Sequence, residues 1–269
     1  MTGAPATCRR LLAVFAHPDD EALAAGGLLA SAADAGAHVA LVCLTRGEDG
    51  GGAGASPDAG RRLAGTRTRE LAAAAAVLGV RDVQVLDHPD GMLPWAPAAQ
   101  VEHDIQAAIA RLTPDAVVTF GPDGLYWHPD HIAVHERTTA AVAGLGGAAP
   151  ALYYVTMPPG QMRAVADDAV SRGAPPWVVR GLDDPDAFGA LAETPTFVLD
   201  ASAAAPRKVE ALRCHGSQVG GGALDGLDDA AARRLFGVEH YRRAPVGPTG
   251  EGPLERLLGR LAASPVARE

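Results

Sequence analysis

Short apolar runs that alternate with helix-forming stretches constrain this chain more than any other feature. Residues 11–16 are continuously apolar and bounded by Pro18, the pattern of a buried strand in a parallel sheet. Helix formers fill 21–35 until Gly36 stops them, and 38–45 is apolar again, so the chain opens as strand, helix, strand. The alternation continues with a helix over 66–78 closed by Gly79, a strand over 82–86, a helix over 98–112 and a strand over 116–120. A helix over 130–143 and a strand over 151–157 follow, then a strand over 196–200, helices over 205–214 and 228–236, and an edge strand over 238–242. This order predicts an α/β fold: a Rossmann-like, mostly parallel sheet with helices on both faces, whose ligand site lies at the carboxyl ends of its strands.

The length of 269 residues suits one α/β domain spanning 1–269, with its core over about 9–245. In the tail, 246–269, Leu254, Leu257, Leu258 and Leu261 fall at helical spacing, so a short amphipathic helix is expected to dock on the core or on a second copy in a homo-oligomer. The stretch 46–65 is too rich in glycine for a regular element and reads as a lid or a disordered loop, and 158–193 shows no clean periodicity. A formal charge of -9 argues against nucleic acid and anionic membrane surfaces as partners. Cys8, Cys43 and Cys214 are odd in number and spaced for neither a disulfide framework nor a cysteine zinc site. No apolar run reaches the roughly 18 residues of a spanning helix, and Asp19, Asp20 and Glu21 interrupt the first apolar region, so a cytoplasmic protein is expected.

Two clusters bear ligand and base chemistry: His17, Asp19, Asp20 and Glu21 after the first strand, and Tyr126 with His128, Asp130 and His131 after the fourth. Acids at 19–21 also suit a helix N-terminus, each worth about 0.3–1 kcal/mol against the macrodipole. Capping alone leaves the second cluster unexplained. A catalytic zinc takes three protein ligands from His and carboxylate and leaves one position to water, and His17, Asp20 and His131 supply that set. Asp19 is then the general base, His128 a cationic or proton-donating partner near the oxyanion, and Tyr126 a second oxyanion donor. His135, four residues after His131, is a rival ligand, because an i, i+4 histidine pair is also a zinc arrangement. His38, His88, His103 and His240 have no neighbouring ligands and are left out.

With these residues in view, Ala16-His17-Pro18-Asp19-Asp20-Glu21 together with His128-Pro129-Asp130-His131 resembles the zinc-dependent de-N-acetylases of the PIG-L or LmbE-like family. The resemblance runs on through Gly26-Gly27, Thr45-Arg46-Gly47-Glu48, Arg67 with Glu70 and Leu71, Asp90-Gly91, and Lys208 to His215-Gly216-Ser217-Gln218, most of residues 11–218. It implies zinc ligation by His17, Asp20 and His131, base catalysis by Asp19, electrostatic or acid assistance by His128, and orientation of a histidine by Asp130. Tyr126 matches a tyrosine that stabilises the transition state in some members, Arg67 and Asp90 match sugar-binding positions, and Glu48, His215 and Gln218 are further site candidates. Trp127 stands where many relatives carry a small residue, either as a stacking face for a ring or packed against a lid.

The resemblance implies an amide hydrolase that removes an N-acetyl group from a glucosamine-containing small molecule, with zinc, or ferrous iron in the cell, as cofactor. A glucosaminyl inositol-like thiol precursor or a specialised metabolite fits that class. Two alternatives stand beside it: a zinc amidase acting on a thiol conjugate or an N-acyl glycopeptide, and a non-catalytic metal-containing sugar-binding protein. Substrate choice is expected to lie in the glycine-rich loop and in 158–193.

Overall fold

The computed structural model describes residues 8–52, 56–173, 184–191, 193–219 and 224–259. In chain order they form β1 (Arg10–Phe15), α1 (Asp20–Asp34), β2 (His38–Cys43), α2 (Pro57–Leu78), β3 (Asp82–Val85), α3 (Ala98–Leu112), β4 (Ala116–Phe120), a four-residue turn α4 (Gly124–Trp127) and α5 (Pro129–Ala143). Then come β5 (Ala151–Thr156), α6 (Gln161–Ser171), β6 (Phe197–Asp200), α7 (Ala205–Cys214), α8 (Asp229–Phe236), β7 (Val238–Arg243) and α9 (Pro253–Leu258). The expected α/β architecture is present: a seven-stranded sheet in the order β3-β2-β1-β4-β5-β7-β6, whose first five strands are parallel. β1 and β4 are buried along nearly their whole length, as continuous apolar runs require when helices cover both faces.

Three expectations need correction. The helix placed at 66–78 begins at Pro57, because Ser56 caps it by accepting the Ala59 N–H at 3.3 Å and Pro57 suits a first-turn position. The loop expected over 46–65 is correspondingly shorter, though 53–55 lie outside the described residues. The strand expected at an edge, 238–242, is instead internal: β7 pairs antiparallel with both β5 and β6, and β6 forms the edge. Part of the unassigned stretch, 161–171, is helical.

The described tail docks on the chain's own core. Leu254 is fully buried and Leu257 and Leu258 pack against the core, while Tyr153 hydrogen-bonds Glu255. Leu261 lies outside the described residues.

One buried ion pair shapes the helix that follows the first motif. α1 breaks at Ala25 (φ -142°, ψ 16°), and just beyond the break the Glu239 carboxylate accepts the N–H groups of Gly27 at 2.8 Å and Leu28 at 2.7 Å. Lys208 Nζ and the Tyr241 hydroxyl donate to the same carboxylate, each at 2.6 Å. Backbone groups freed by the break thus meet a charged acceptor instead of being left unpaired.

Candidate active site

β1 and β4 are neighbours from which the chain departs in opposite directions, β1 towards β2 and β4 towards β5, so a crevice opens above their carboxyl ends. Both motifs fall there, one after β1 and one after β4. They line a cavity of about 300 Å³ with His17, Asp19, Asp20, Asp49, Arg67, Asp90, Tyr126, His128 and Gln218 on its walls.

The deepest part of the site is a triangle. His17 Nδ1 lies 3.1 Å from His131 Nε2 and 3.4 Å from Asp20 Oδ2, and His131 Nε2 lies 3.1 Å from Asp20 Oδ1. The opposite nitrogens are occupied elsewhere: His17 Nε2 faces Asp130 Oδ2 at 3.1 Å and Asp90 Oδ1 at 3.0 Å, and His131 Nδ1 faces the Gly124 carbonyl at 3.0 Å. Each ring N–H therefore belongs on the outer nitrogen, which leaves two lone pairs facing each other beside a carboxylate. A cation has to sit between them, either a proton on His17 Nδ1 or a metal ion in its place, and outer-nitrogen bonds to carboxylate or carbonyl are how ligand histidines are oriented. The donor set fits a divalent metal ion. Other groups close enough to hold one are His17, His128 and His131, or His17, Asp90 and Asp130. His135 is not among them; its Nδ1 bonds the Phe120 carbonyl at 3.0 Å.

Electrostatics agree with the triangle. Burial works against an ionised Asp20, yet His131 and His17 outweigh it and hold the carboxyl well below its usual range. Burial likewise opposes a charged His17, but bonds to Asp130, Asp20 and Asp90 hold it well above the ordinary imidazole value. Asp130 is fully buried, and its two oxygens also accept the N–H groups of Gly91 at 2.8 Å and Leu93 at 3.1 Å, which fixes the carboxylate against the His17 ring.

Asp19 is set apart. It occupies the N-cap position of α1, but its side chain makes no capping bond, so capping does not account for it. Its φ is 123°, in the left-handed region that non-glycine residues rarely adopt. Burial pushes the carboxyl up to about 6 against the pull of the Arg67 guanidinium, whose Nη2 lies 3.2 Å away. Arg67 is nearly buried rather than an exposed helix residue, and it also donates to the carbonyls of Pro18 at 2.7 Å and Gly47 at 2.9 Å.

His128 caps α5: its Nδ1 accepts the Asp130 N–H at 3.2 Å, so its own N–H is on Nε2. Burial, with His131 and His17 close by, pushes it down to about 4. It is a neutral donor at pH 7 rather than the cation the sequence also allowed. Tyr126 stands edge-on to His131 with ring centroids 5.2 Å apart, in a segment where Leu125 and Trp127 also take positive φ. Strain of this kind concentrates at functional sites.

The remaining candidates divide. Gln218 lines the cavity, and Asp90 lines it while also holding His17. Glu48 lies outside that cavity and accepts the Asp90 N–H at 3.0 Å. Trp127 is half-exposed and does not line the cavity. His215 is fully buried behind the wall, bonded to Glu21 at 2.7 Å. Glu21, read from sequence mainly as a helix N-terminal acid, is also fully buried, and its second oxygen accepts the Asp19 N–H at 3.0 Å. No local signal marks the Glu21–His215 bond, because the two residues lie 194 positions apart in the chain.

A doubly covered α/β sheet with a His/Asp cluster at its switch point has the parts of a metal-assisted hydrolase. The sequence pattern of the family described as PIG-L: GlcNAc-PI de-N-acetylase matches residues 12–142. A Mycolicibacterium vanbaalenii protein named 1D-myo-inositol 2-acetamido-2-deoxy-alpha-D-glucopyranoside deacetylase is 36% identical over 89% of this chain and 88% of its own length. The chain belongs to the PIG-L family of de-N-acetylases, amide hydrolases acting on N-acetyl groups. Among solved structures, N,N'-diacetylchitobiose deacetylase from Pyrococcus horikoshii superposes with a TM-score of 0.61 at 22% identity, over 88% of this chain and 84% of that one. GalB, a 4-carboxy-2-hydroxymuconate hydratase from Pseudomonas putida, superposes at 0.62 with 19% identity, over 90% and 99%. The fold thus carries more than one chemistry, and the activity has to be argued from the site. Among the described residues no helix is long and apolar enough to cross a membrane.

Proposed function

We propose that the chain is a metal-dependent deacetylase that removes the N-acetyl group from a glucosamine-containing small molecule, with a glucosaminyl inositol as the substrate class. The observation that carries this reading is the triangle of His17 Nδ1, Asp20 and His131 Nε2 beside the uncapped carboxylate of Asp19. The name of the Mycolicibacterium vanbaalenii relative, matched over most of both chains, supports the inositol-linked aglycone.

His17, Asp20 and His131 hold the ion, zinc or ferrous iron. When bound it supplies Lewis acidity, polarising the acetamido carbonyl and making water easier to deprotonate. Asp130 and Asp90 keep the His17 ring turned so that Nδ1 faces the ligand triangle. Asp19, with a carboxyl raised to about 6, is ionised yet basic near neutral pH; it takes the proton of the attacking water and returns it to the departing amine. Neutral His128, through its Nε2–H, and the Tyr126 hydroxyl donate hydrogen bonds to the oxygen that gains charge as the carbonyl turns tetrahedral. Arg67, Asp90 and Gln218 line the cavity around the sugar; Glu48 acts on it only through the Asp90 backbone.

An acetate-release screen tests the reading. Parent protein with added zinc or ferrous iron should release acetate from N-acetylglucosaminyl inositol faster than from N,N'-diacetylchitobiose or free N-acetylglucosamine. No acetate from any N-acetylated sugar, with metal bound at parent stoichiometry, refutes it and leaves the sugar-binding alternative.

A further inference from the structure

Glu21 and His215 are both fully buried, and neither lines the cavity. Taking such a pair out of water carries a desolvation cost, and apolar side chains of similar volume often pack in its place as well or better. His215 Nδ1 makes no hydrogen bond, so the 2.7 Å contact between His215 Nε2 and Glu21 Oε1 is the polar contact that accounts for the imidazole's position. Fold stability therefore gives little reason for the pair. What Glu21 holds with its other oxygen gives a better one.

Glu21 Oε2 accepts the N–H of Asp19 at 3.0 Å. The carbonyl of the same peptide unit, that of Pro18, accepts from Arg67 Nη2 at 2.7 Å. The Pro18–Asp19 peptide is thus gripped on both edges, by an anion on its N–H side and a cation on its carbonyl side. Rotation about the bond from this fixed amide nitrogen to the Asp19 Cα decides where the carboxylate points. That rotation stands at φ 123°, which a non-glycine residue holds only when its surroundings impose it. An N-cap aspartate normally turns its carboxylate back to the helix N–H groups; here Asp19 makes no such bond and is left free to face the cavity.

We propose that the Glu21–His215 pair is a positioning device for Asp19: it anchors the Asp19 amide so that the carboxylate stands beside the metal triangle instead of capping α1. His215 fixes the rotamer of Glu21, Glu21 fixes the peptide, and the peptide fixes the base. Neither residue touches substrate. The inference rests on Asp19 acting as the base in the function proposed above.

The test uses full-length protein carrying Glu21→Leu with His215→Leu, which removes both buried polar groups together, beside Glu21→Gln, which keeps an acceptor for the Asp19 N–H. The double variant should fold, hold metal at the parent's stoichiometry and show an unchanged KM, while kcat falls on the order of 100-fold, as for a misplaced catalytic group. Glu21→Gln should lose far less. A role in packing alone would move melting temperature without this split. If the double variant does not accumulate as folded protein, Glu21→Met takes its place with the same expectation. Parent-level kcat in the apolar variant, or kcat and metal content falling together, overturns the proposal. A crystal structure of that variant decides it without substrate: Asp19 should leave the positive-φ region, and φ still near 123° overturns it. A parent that releases no acetate refutes the function proposed above, and the backbone measurement still judges this inference by itself.

Discussion

Gly47→Ala should damage both the fold and the site. Gly47 has a φ of +66°, and a Cβ there would lie 2.4 Å from both Cζ and Nη1 of Arg67, closer than atoms can approach. The backbone term alone is roughly 1–2 kcal/mol for an L-residue in the left-handed region. The guanidinium must also move, and it holds the Gly47 and Pro18 carbonyls and the Asp19 carboxylate from a buried position. Hydrogen bonds to charged groups contribute roughly 1.5–3 kcal/mol each, so losing one brings the total to roughly 2.5–5 kcal/mol. Gly36→Ala is the control: Gly36 has a φ of +87° with no atom within 4 Å of the added Cβ, so it bears the backbone term without the clash. Urea denaturation of both variants measures the difference, and acetate release from the folded Gly47→Ala protein should be lower than from the parent because the Asp19 peptide loses its Arg67 anchor. Equal losses of stability in the two variants would refute the reasoning.

Asp20→Asn should cut bound zinc well below the parent's stoichiometry in elemental analysis, since a neutral amide replaces the anion of the triangle; unchanged metal would move the ligand set elsewhere. Lys208→Met should cost about 3–5 kcal/mol in urea denaturation, because Glu239 is left buried without its cation, and a loss under about 1 kcal/mol would contradict that. Ser56→Ala should cost about 1 kcal/mol by removing the cap of α2, and no measurable change would mean that the bond to Ala59 is not formed in solution. Burial opposes a charged His215, but Glu21, with Asp19 and Glu70 adding, holds its pKa above the usual value. Its pH-linked contribution is then complete below about pH 6.5 and lost as pH rises through the raised folded-state value, so the gap in melting temperature between parent and His215→Leu should narrow towards alkaline pH. A gap that widens with pH has the wrong sign.

Where local preference and burial point the same way, the sequence is an adequate guide. The helix over 98–112 and the strand over 116–120 have the bounds read from residues, because one carries apolar positions at helical spacing and the other is a run of β-branched and aromatic residues. α2 misleads because the glycines near it suggest a loop, while its start is marked by Ser56-Pro57-Asp58, a cap and first-turn signal that glycine counting overlooks. β7 misleads for a different reason. Its six residues cannot say whether they pair on one side or two; that depends on β5 and β6, which come earlier in the chain, and on an antiparallel approach that a strand-helix alternation does not anticipate.

The same division runs through the site. His17 and Asp20 sit three residues apart across a strand-to-helix turn, so a shared ligand role can be read locally, and His131 joins them because β1 and β4 are sheet neighbours. What makes Asp19 different from Asp20 cannot be read there, since two adjacent aspartates carry the same chemistry. Their environments separate them: Asp20 faces two imidazoles that favour its charge, whereas Asp19 is partly buried beside one guanidinium on a backbone turned to φ 123°. Those environments are built by Arg67 from α2 and by Glu21 leaning on His215 beyond α7. A motif names the groups that do the chemistry, but the division of labour between neighbouring acids is written in residues that meet only when the sheet closes.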